Sequence, residues 1–500
     1  MTILSCADAT HPTAWPFTCR RASGVALSLF VATLMACSDT ANTLPASATG
    51  HDIVIIVLDT VRKDRLSTYG YERATSPNLD SMIATARNFD NAHATSGWTT
   101  PSHASLFSGL YPVAHGATQE NWRLTEDVES LAEVLGGAGY QTVGVAGNVM
   151  ITAERGFAQG FEIYHESWRS AKMHARDAIT VDWVKKFLSE RDDPRPLFLF
   201  INLIGAHGPF DSCGSSCGAF GAKLDGQITN SFWKDYYLGK RGLTDAQYDR
   251  LSRLYDAEVK EVDANVGRIL KQFNSRHDPS TSFVAVTSDH GENIGDHGHV
   301  NHVFSLYEST LQIPLLIRYL PKLKRGRDSR PAQLVDLYPT ALDAAGLLEG
   351  RSATHGRNLL VDAQTQRSVF TEYYRPDQAM LRLFPDGGGQ DNHRVRKYWR
   401  RLRSVSRDGW KLIWGSDGNH ELYHLAIDPT EATDLIDAPD AATVRDKLLA
   451  ELESLVAAYG DGTSLADDDT SSPSPDAAAR EQDGLDHETQ EELRALGYIE

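Results

Sequence analysis

IVIIVLDTVRKDRLSTYGY, residues 53–71, changes from an unbroken apolar run to polar residues at Asp59. A short apolar run without alternation fits a strand covered on both faces. TVGVAG (142–147), LFLFINL (197–203), FVAVTS (283–288) and PLLIRY (314–319) have the same character, with helix-like segments between them. Strands alternating with helices predict an α/β fold: a mostly parallel sheet flanked by helices. In such sheets functional side chains gather at the carboxyl ends of the strands. The polar motifs of this chain lie there.

The chain has 500 residues, more than one hydrophobic core usually serves. A large domain is expected over residues 51–365. Beyond it, RSVSRDGWKLIW (403–414) and HELYHLAID (420–428) read as antiparallel strands, with Asp408-Gly409 and Asp417-Gly418 as turns. ATVRDKLLAELESLVAAYG (442–460) reads as an amphipathic helix with a glycine cap. Residues 366–460 therefore form a small C-terminal subdomain of antiparallel sheet plus helix. Residues 461–485, acidic and rich in Ser, Pro and Asp, are expected to be a disordered linker before a C-terminal helix at 486–500.

Arg20 and Arg21 precede VALSLFVATLMAC (25–37), an apolar run of signal-peptide length that ends in a stretch resembling a bacterial lipobox. Residues 1–37 are read as a lipoprotein-type signal, with Cys37 lipidated and first in the mature chain; a plain cleaved signal is the alternative. Residues 38–50 form a small, polar tether. The expected location is the periplasmic face of a bacterial membrane, or otherwise the cell envelope or the medium. A net charge of −18 argues against nucleic acid or an anionic membrane surface as the main partner, which leaves the lipid anchor as the membrane contact. Of five cysteines, Cys213 and Cys217 lie in the folded body, where an oxidising compartment favours a disulfide.

Three polar clusters follow strands. Asp59 ends the first and reads as a metal ligand or a helix cap. In WTTPSHASLFSGLYPVAHG (98–116), Pro101 fits the first turn of a helix, which puts Thr99 or Thr100 where free N–H groups favour an anion. A simple threonine cap is the competing reading. The third, FVAVTSDHGENIGDHGHVNH (283–302), carries Asp289-His290 at a strand end, with His297, His299 and His302 close behind. Carboxylate plus imidazole there is a divalent-metal pattern.

In this order the clusters resemble the sulfatase family of the alkaline phosphatase superfamily. The resemblance rests on Thr99-Thr100-Pro101-Ser102-His103-Ala104-Ser105-Leu106, on Tyr111-Pro112-Val113-Ala114-His115-Gly116, on His207-Gly208-Pro209 and on Ser288-Asp289-His290-Gly291. DLYPTALDAAGL (336–347) and RSVSRDGWKLI…ELYHL resemble later family segments. The departures are specific. Thr99 stands where a sulfatase has the Cys or Ser that becomes formylglycine, His103 replaces the supporting arginine, Thr60 replaces the second acid of the first metal pair, and His302 replaces a late lysine.

What the resemblance implies is a metal-dependent ester hydrolase, or a group transferase, acting on an anionic sulfate or phosphate ester. One divalent ion, Ca2+ or else Mn2+, Mg2+ or Zn2+, is expected on Asp59, Thr99, Asp289 and His290. Thr99 is similar to the nucleophile of relatives that transfer phosphoryl groups from a metal-activated threonine. His103, His207 and His302 are the other expected catalytic residues, and Asn148 and His299 the expected substrate contacts. The alternative is a catalytically inactive sulfatase-like protein that binds sulfated or phosphorylated ligands.

Overall fold

The structure is a computed structural model. It describes residues 48–170, 176–210, 213–221, 235–350, 354–361, 366–376, 397–460, 464–465 and 489–491. The chain divides into two units, Met1–Ala41 and Asn42–Glu500, and every described residue belongs to the second. The expected signal, Cys37 and nearly all of the segments assigned to 461–485 and 486–500 lie outside the described residues.

Among the described residues up to 361 there are ten strands: β1 (Ile53–Leu58), β2 (Arg87–His93), β3 (Gln141–Ala146), β4 (Ile163–Glu166), β5 (Leu197–Leu203), β6 (Phe283–Thr287), β7 (Asn293–Ile294), β8 (Val300–Asn301), β9 (Leu315–Arg318) and β10 (Gly326–Gln333). Eight of them form one sheet in the order β10-β2-β9-β6-β1-β5-β3-β4, and β7 pairs with β8 alone. Neighbours run parallel except at β9, which is antiparallel to both β2 and β6.

β1 shows why its sequence is unbroken. Ile53, Ile55 and Val57 join one core cluster, while Val54, Ile56 and Leu58 join the cluster on the opposite face. Helices Thr99–Ser108 and Leu337–Ala345 cover the first face, and helices Arg176–Glu190 and Asp245–Asn274 the second. A strand packed on both faces leaves a polar residue room only where a partner satisfies it. β2 and β10, by contrast, are RNFDNAH and GRDSRPAQ at one side of the sheet, and both keep half-exposed positions.

The Asp177 carboxylate ties the second face to the carboxyl end of β5. It accepts the N–H of Ile204 at 2.8 Å and of Gly205 at 3.1 Å. Burial pushes this carboxyl up to about 6. Asp177→Asn replaces one acceptor oxygen with a donor and is expected to cost about 1–3 kcal/mol, read as a lower urea midpoint. An unchanged midpoint would show that the strand end does not depend on this bond.

A second, antiparallel sheet consists of β11 (Val369–Tyr373), β12 (Leu402–Arg407), β13 (Trp410–Gly415) and β14 (Glu421–His424), with helix Ala442–Tyr459 against it. Asp408 (φ 51°) and Gly409 (φ 81°) turn β12 into β13. Positive φ at both positions is what the tightest hairpin turn requires. Gly460 closes the helix at φ −107°, with its N–H on the Val456 carbonyl. Leu448, Leu452 and Val456 share a core with Phe370, Val405, Leu412 and Tyr111. Cys213 and Cys217 are joined by a disulfide. No helix among the described residues is long and apolar enough to cross a membrane.

Candidate active site

β1 ends at Asp59 and β6 runs into Asp289-His290, so the sheet brings both to one edge. Thr99 opens helix Thr99–Ser108, whose first turn no side chain caps. Pro101 suits that turn because it has no N–H to lose there. All four residues are buried, Thr99 and His290 with 0% exposure. The Thr99 hydroxyl lies 3.3 Å from His290 Nε2. The chain thus joins the strand-end carboxylate, the helix-mouth hydroxyl and the Asp-His pair.

Each ligand candidate is held by one atom and presents another. Asp59 Oδ2 accepts from Asn148 at 2.8 Å and from Asn202 at 3.2 Å, while its Oδ1 is buried without a partner. Asp289 Oδ1 accepts from the N–H of Thr60 and of His290, while its Oδ2 is buried without a hydrogen bond. His290 Nδ1 donates to the Gly291 carbonyl at 3.0 Å, which leaves a lone pair on Nε2 facing Thr99. Asp59, Asp289 and His290 offer atoms that all lie within 4.8 Å of one another. Burial, and then Asp289, push Asp59 up to about 7, and burial pushes Asp289 up to about 7. Burial, and then His302, push His290 down to about 3. Two orphaned carboxylate oxygens beside an imidazole lone pair are costly to bury without a cation. The residues therefore fit a divalent metal.

A second group surrounds His290. His302 lies with ring centroids 4.5 Å from His290 and 4.9 Å from His207. His207 Nδ1 donates to the Gly208 carbonyl at 2.6 Å. Glu292, 1% exposed, lies 3.4 Å from His302 Nδ1, and burial pushes its carboxyl up to about 8.

Other parts of the motifs serve geometry. Thr60, at φ 60°, donates its hydroxyl to the Asp59 carbonyl at 2.7 Å and brings no second carboxylate to the site. His103 Nδ1 donates to the Thr99 carbonyl at 2.9 Å and is 3.6 Å from Asp289 Oδ2. Burial lowers the His103 pKa, so no permanent cation replaces the arginine of the family pattern. Ser105 and His115 hydrogen-bond at 3.0 Å, and the Tyr111 hydroxyl donates to Gln333 at 2.8 Å. Those contacts lock helix Thr99–Ser108 in place. Asn148 reaches Asp59, and His299 packs against Tyr307 and Tyr398. The sequence reading singled out neither Asn202 nor Glu292. A polar residue inside LFLFINL was the available signal for the first; for the second there was only one more acid in a polar loop.

The sulfatase family pattern matches residues 51–347, and that of the N-sulphoglucosamine sulphohydrolase C-terminal region matches 295–458. The chain is 23% identical over 496 residues to an N-acetylglucosamine-6-O-sulfatase of Bacteroides thetaiotaomicron, covering 82% of this chain and 87% of that protein. It is 23% identical over 485 residues to an arylsulfatase of Clostridium perfringens, covering 83% and 97%. Among solved structures, one bound to D-glucosamine-2-N,6-O-disulfate aligns with a TM-score of 0.67 at 21% identity, covering 83% of this chain and 99% of the other. The phosphonate monoester hydrolase of Agrobacterium radiobacter aligns with a TM-score of 0.66 at 19% identity, covering 82% and 96%. The chain belongs to the sulfatase family and is a sulfatase-like ester hydrolase.

Proposed function

We propose that this hydrolase cleaves phosphate or sulfate esters with the Thr99 hydroxyl as nucleophile, phosphate esters being the better fit. The observation that carries the reading is the Thr99 hydroxyl 3.3 Å from His290 Nε2, beside the two orphaned carboxylate oxygens. A divalent ion held by Asp59, Asp289 and His290 would supply charge for ionising the hydroxyl and for the ester's non-bridging oxygens. The uncapped first turn of helix Thr99–Ser108 offers N–H groups to the same anion.

The Thr99 hydroxyl gives its proton to solvent, Oγ1 forms the bond to phosphorus, and the ester P–O bond breaks as the leaving oxygen takes a proton from His207, His302 or water. Water then displaces Thr99 in line and releases phosphate. A sulfated threonine lacks the elimination route of an aldehyde hydrate, which is why phosphorus is favoured over sulfur. His207 and His302, whose rings group beside His290, are proposed to contact the non-bridging oxygens or to deliver the proton to the leaving oxygen. Asn148 and Asn202 orient Asp59, and His103 supports the Thr99 main chain. His299 is proposed as a substrate contact, and Cys37 as the attachment point of a lipid anchor that keeps the enzyme at a membrane surface.

The test is a panel of aryl phosphate, phosphodiester and aryl sulfate substrates with added divalent ions, followed by mass spectrometry of the Thr99 peptide. Metal-dependent phosphate release with a phosphorylated Thr99 trapped during turnover is expected. Turnover without modification of Thr99 would move the nucleophile elsewhere. Anion binding without any turnover would favour the inactive, ligand-binding reading.

A further inference from the structure

We infer that the site is built for a four-coordinate first-row ion, zinc above calcium, with the Thr99 hydroxyl as fourth ligand. The inference deepens the proposed function by naming the cation. It stands on the number and kind of donor atoms.

Every candidate ligand has exhausted one side of its side chain. Asn148 and Asn202 occupy Asp59 Oδ2, the Thr60 and His290 N–H groups occupy Asp289 Oδ1, and Gly291 occupies His290 Nδ1. Neither carboxylate can therefore chelate through both oxygens without breaking these bonds. One oxygen from each acid and one nitrogen remain, with Thr99 Oγ1 beside them. Thr60, where a further carboxylate would add oxygens, is turned onto the Asp59 carbonyl.

Calcium takes six to eight oxygens and gains most from carboxylates that bind through both. Three oxygens and an imidazole nitrogen are a poor set for it. Imidazole with single carboxylate oxygens suits zinc, whose catalytic sites have three protein ligands and one open position. Zinc–ligand bonds of about 2.0–2.1 Å put tetrahedral neighbours about 3.3 Å apart. Two of the six separations match: Thr99 Oγ1 to His290 Nε2 and His290 Nε2 to Asp289 Oδ2 are each 3.3 Å, and the Asp59, Asp289 and His290 donors all lie within 4.8 Å of one another.

The full chain, stripped with a chelator, is titrated with Zn2+, Ca2+ and Co2+ and followed by calorimetry and thermal melting. One Zn2+ per chain is expected, bound at least about 10³-fold more tightly than Ca2+, with no rise in melting temperature from millimolar Ca2+. Bound Co2+ should show the intense visible bands of a four-coordinate ion, weakened in Thr99→Ala and lost in Asp59→Asn. His290→Asn should narrow the zinc preference, and Thr60→Asp should raise Ca2+ affinity. If a variant fails to fold, the Co2+ spectrum of the wild type still decides. A faint six-coordinate spectrum, or Ca2+ stabilising the chain as well as Zn2+, overturns the inference. Calcium preference with Thr99-dependent turnover would sink this inference and leave the proposed function standing. Tight zinc with no turnover of any ester would do the reverse.

Discussion

Thr99→Ala is expected to lower kcat by about 10⁴-fold or more on any ester the wild type hydrolyses, because the mutation removes the atom that forms the covalent bond. Folding should hardly change. The hydroxyl's described hydrogen bond is the 3.3 Å contact with His290 Nε2, and deleting so small a side chain from the interior costs about 1–2 kcal/mol. A rate loss of that size beside a nearly intact unfolding midpoint separates chemistry from structure. Thr99→Ser keeps a hydroxyl on the same helix residue and should stay within about 10²-fold of the wild type.

The neighbouring hydroxyl is the control. Thr100 Oγ1 is also buried and has no partner, so burial alone cannot tell the two threonines apart. What separates them is His290, which meets Thr99 and not Thr100. Thr100→Ala should therefore leave kcat within about tenfold. A Thr99→Ala enzyme that turns over at the wild-type rate would end the nucleophile assignment. A Thr100→Ala enzyme that fails instead would transfer it by one residue.

The parts of this architecture that were legible in the sequence share one physical cause. β1, β3, β5 and β6 are packed on both faces, so burial is written into them as unbroken apolar runs. β9 reads as a strand for the same reason, but nothing in LLIR states that it runs against its neighbours. β2 and β10 escape notice because half-exposed strands can be as polar as loops. Asp59 and Asp289-His290 were readable because each follows a buried strand directly. Asn202 shows in the sequence only as a polar residue in an apolar run and Glu292 not at all, since their importance comes from what packs beside them. Asn202 meets Asp59 from the adjacent strand, and Glu292 meets His302 across ten residues of chain. His299 sits in the same histidine-rich loop, and its described ring contacts are with Tyr307 and Tyr398.

Lys411→Met is expected to cost about 3–5 kcal/mol of folding stability, the largest loss away from the active site. Lys411 is 0% exposed, and its ammonium donates to Glu308 at 2.8 Å and to Glu431 at 2.7 Å. His93 Nε2 lies 3.0 Å from the other Glu308 oxygen, and the Glu308 N–H donates to Glu431 at 2.7 Å. The cluster joins β13 of the small sheet to β2 of the large one. Removing the ammonium leaves two buried carboxyls facing each other, which is far worse than having no charges there. The triple variant Lys411→Met/Glu308→Gln/Glu431→Gln should therefore recover most of the loss. The acid limb gives a second reading. Burial alone would raise Glu308, but Lys411 and His93 outweigh it and hold the carboxyl well below its usual range. A depressed carboxyl stabilises the fold above its unfolded pKa of about 4.3, and that contribution fades as pH falls further. The gap between wild type and Lys411→Met should thus be widest near neutrality and narrow on acidification. Urea midpoints from tryptophan fluorescence at pH 7 and at about pH 3, well below the unfolded carboxyl range, would show it. A single-variant loss below about 1 kcal/mol, the range of an exposed ion pair, would mean that the cluster does not hold the two sheets together.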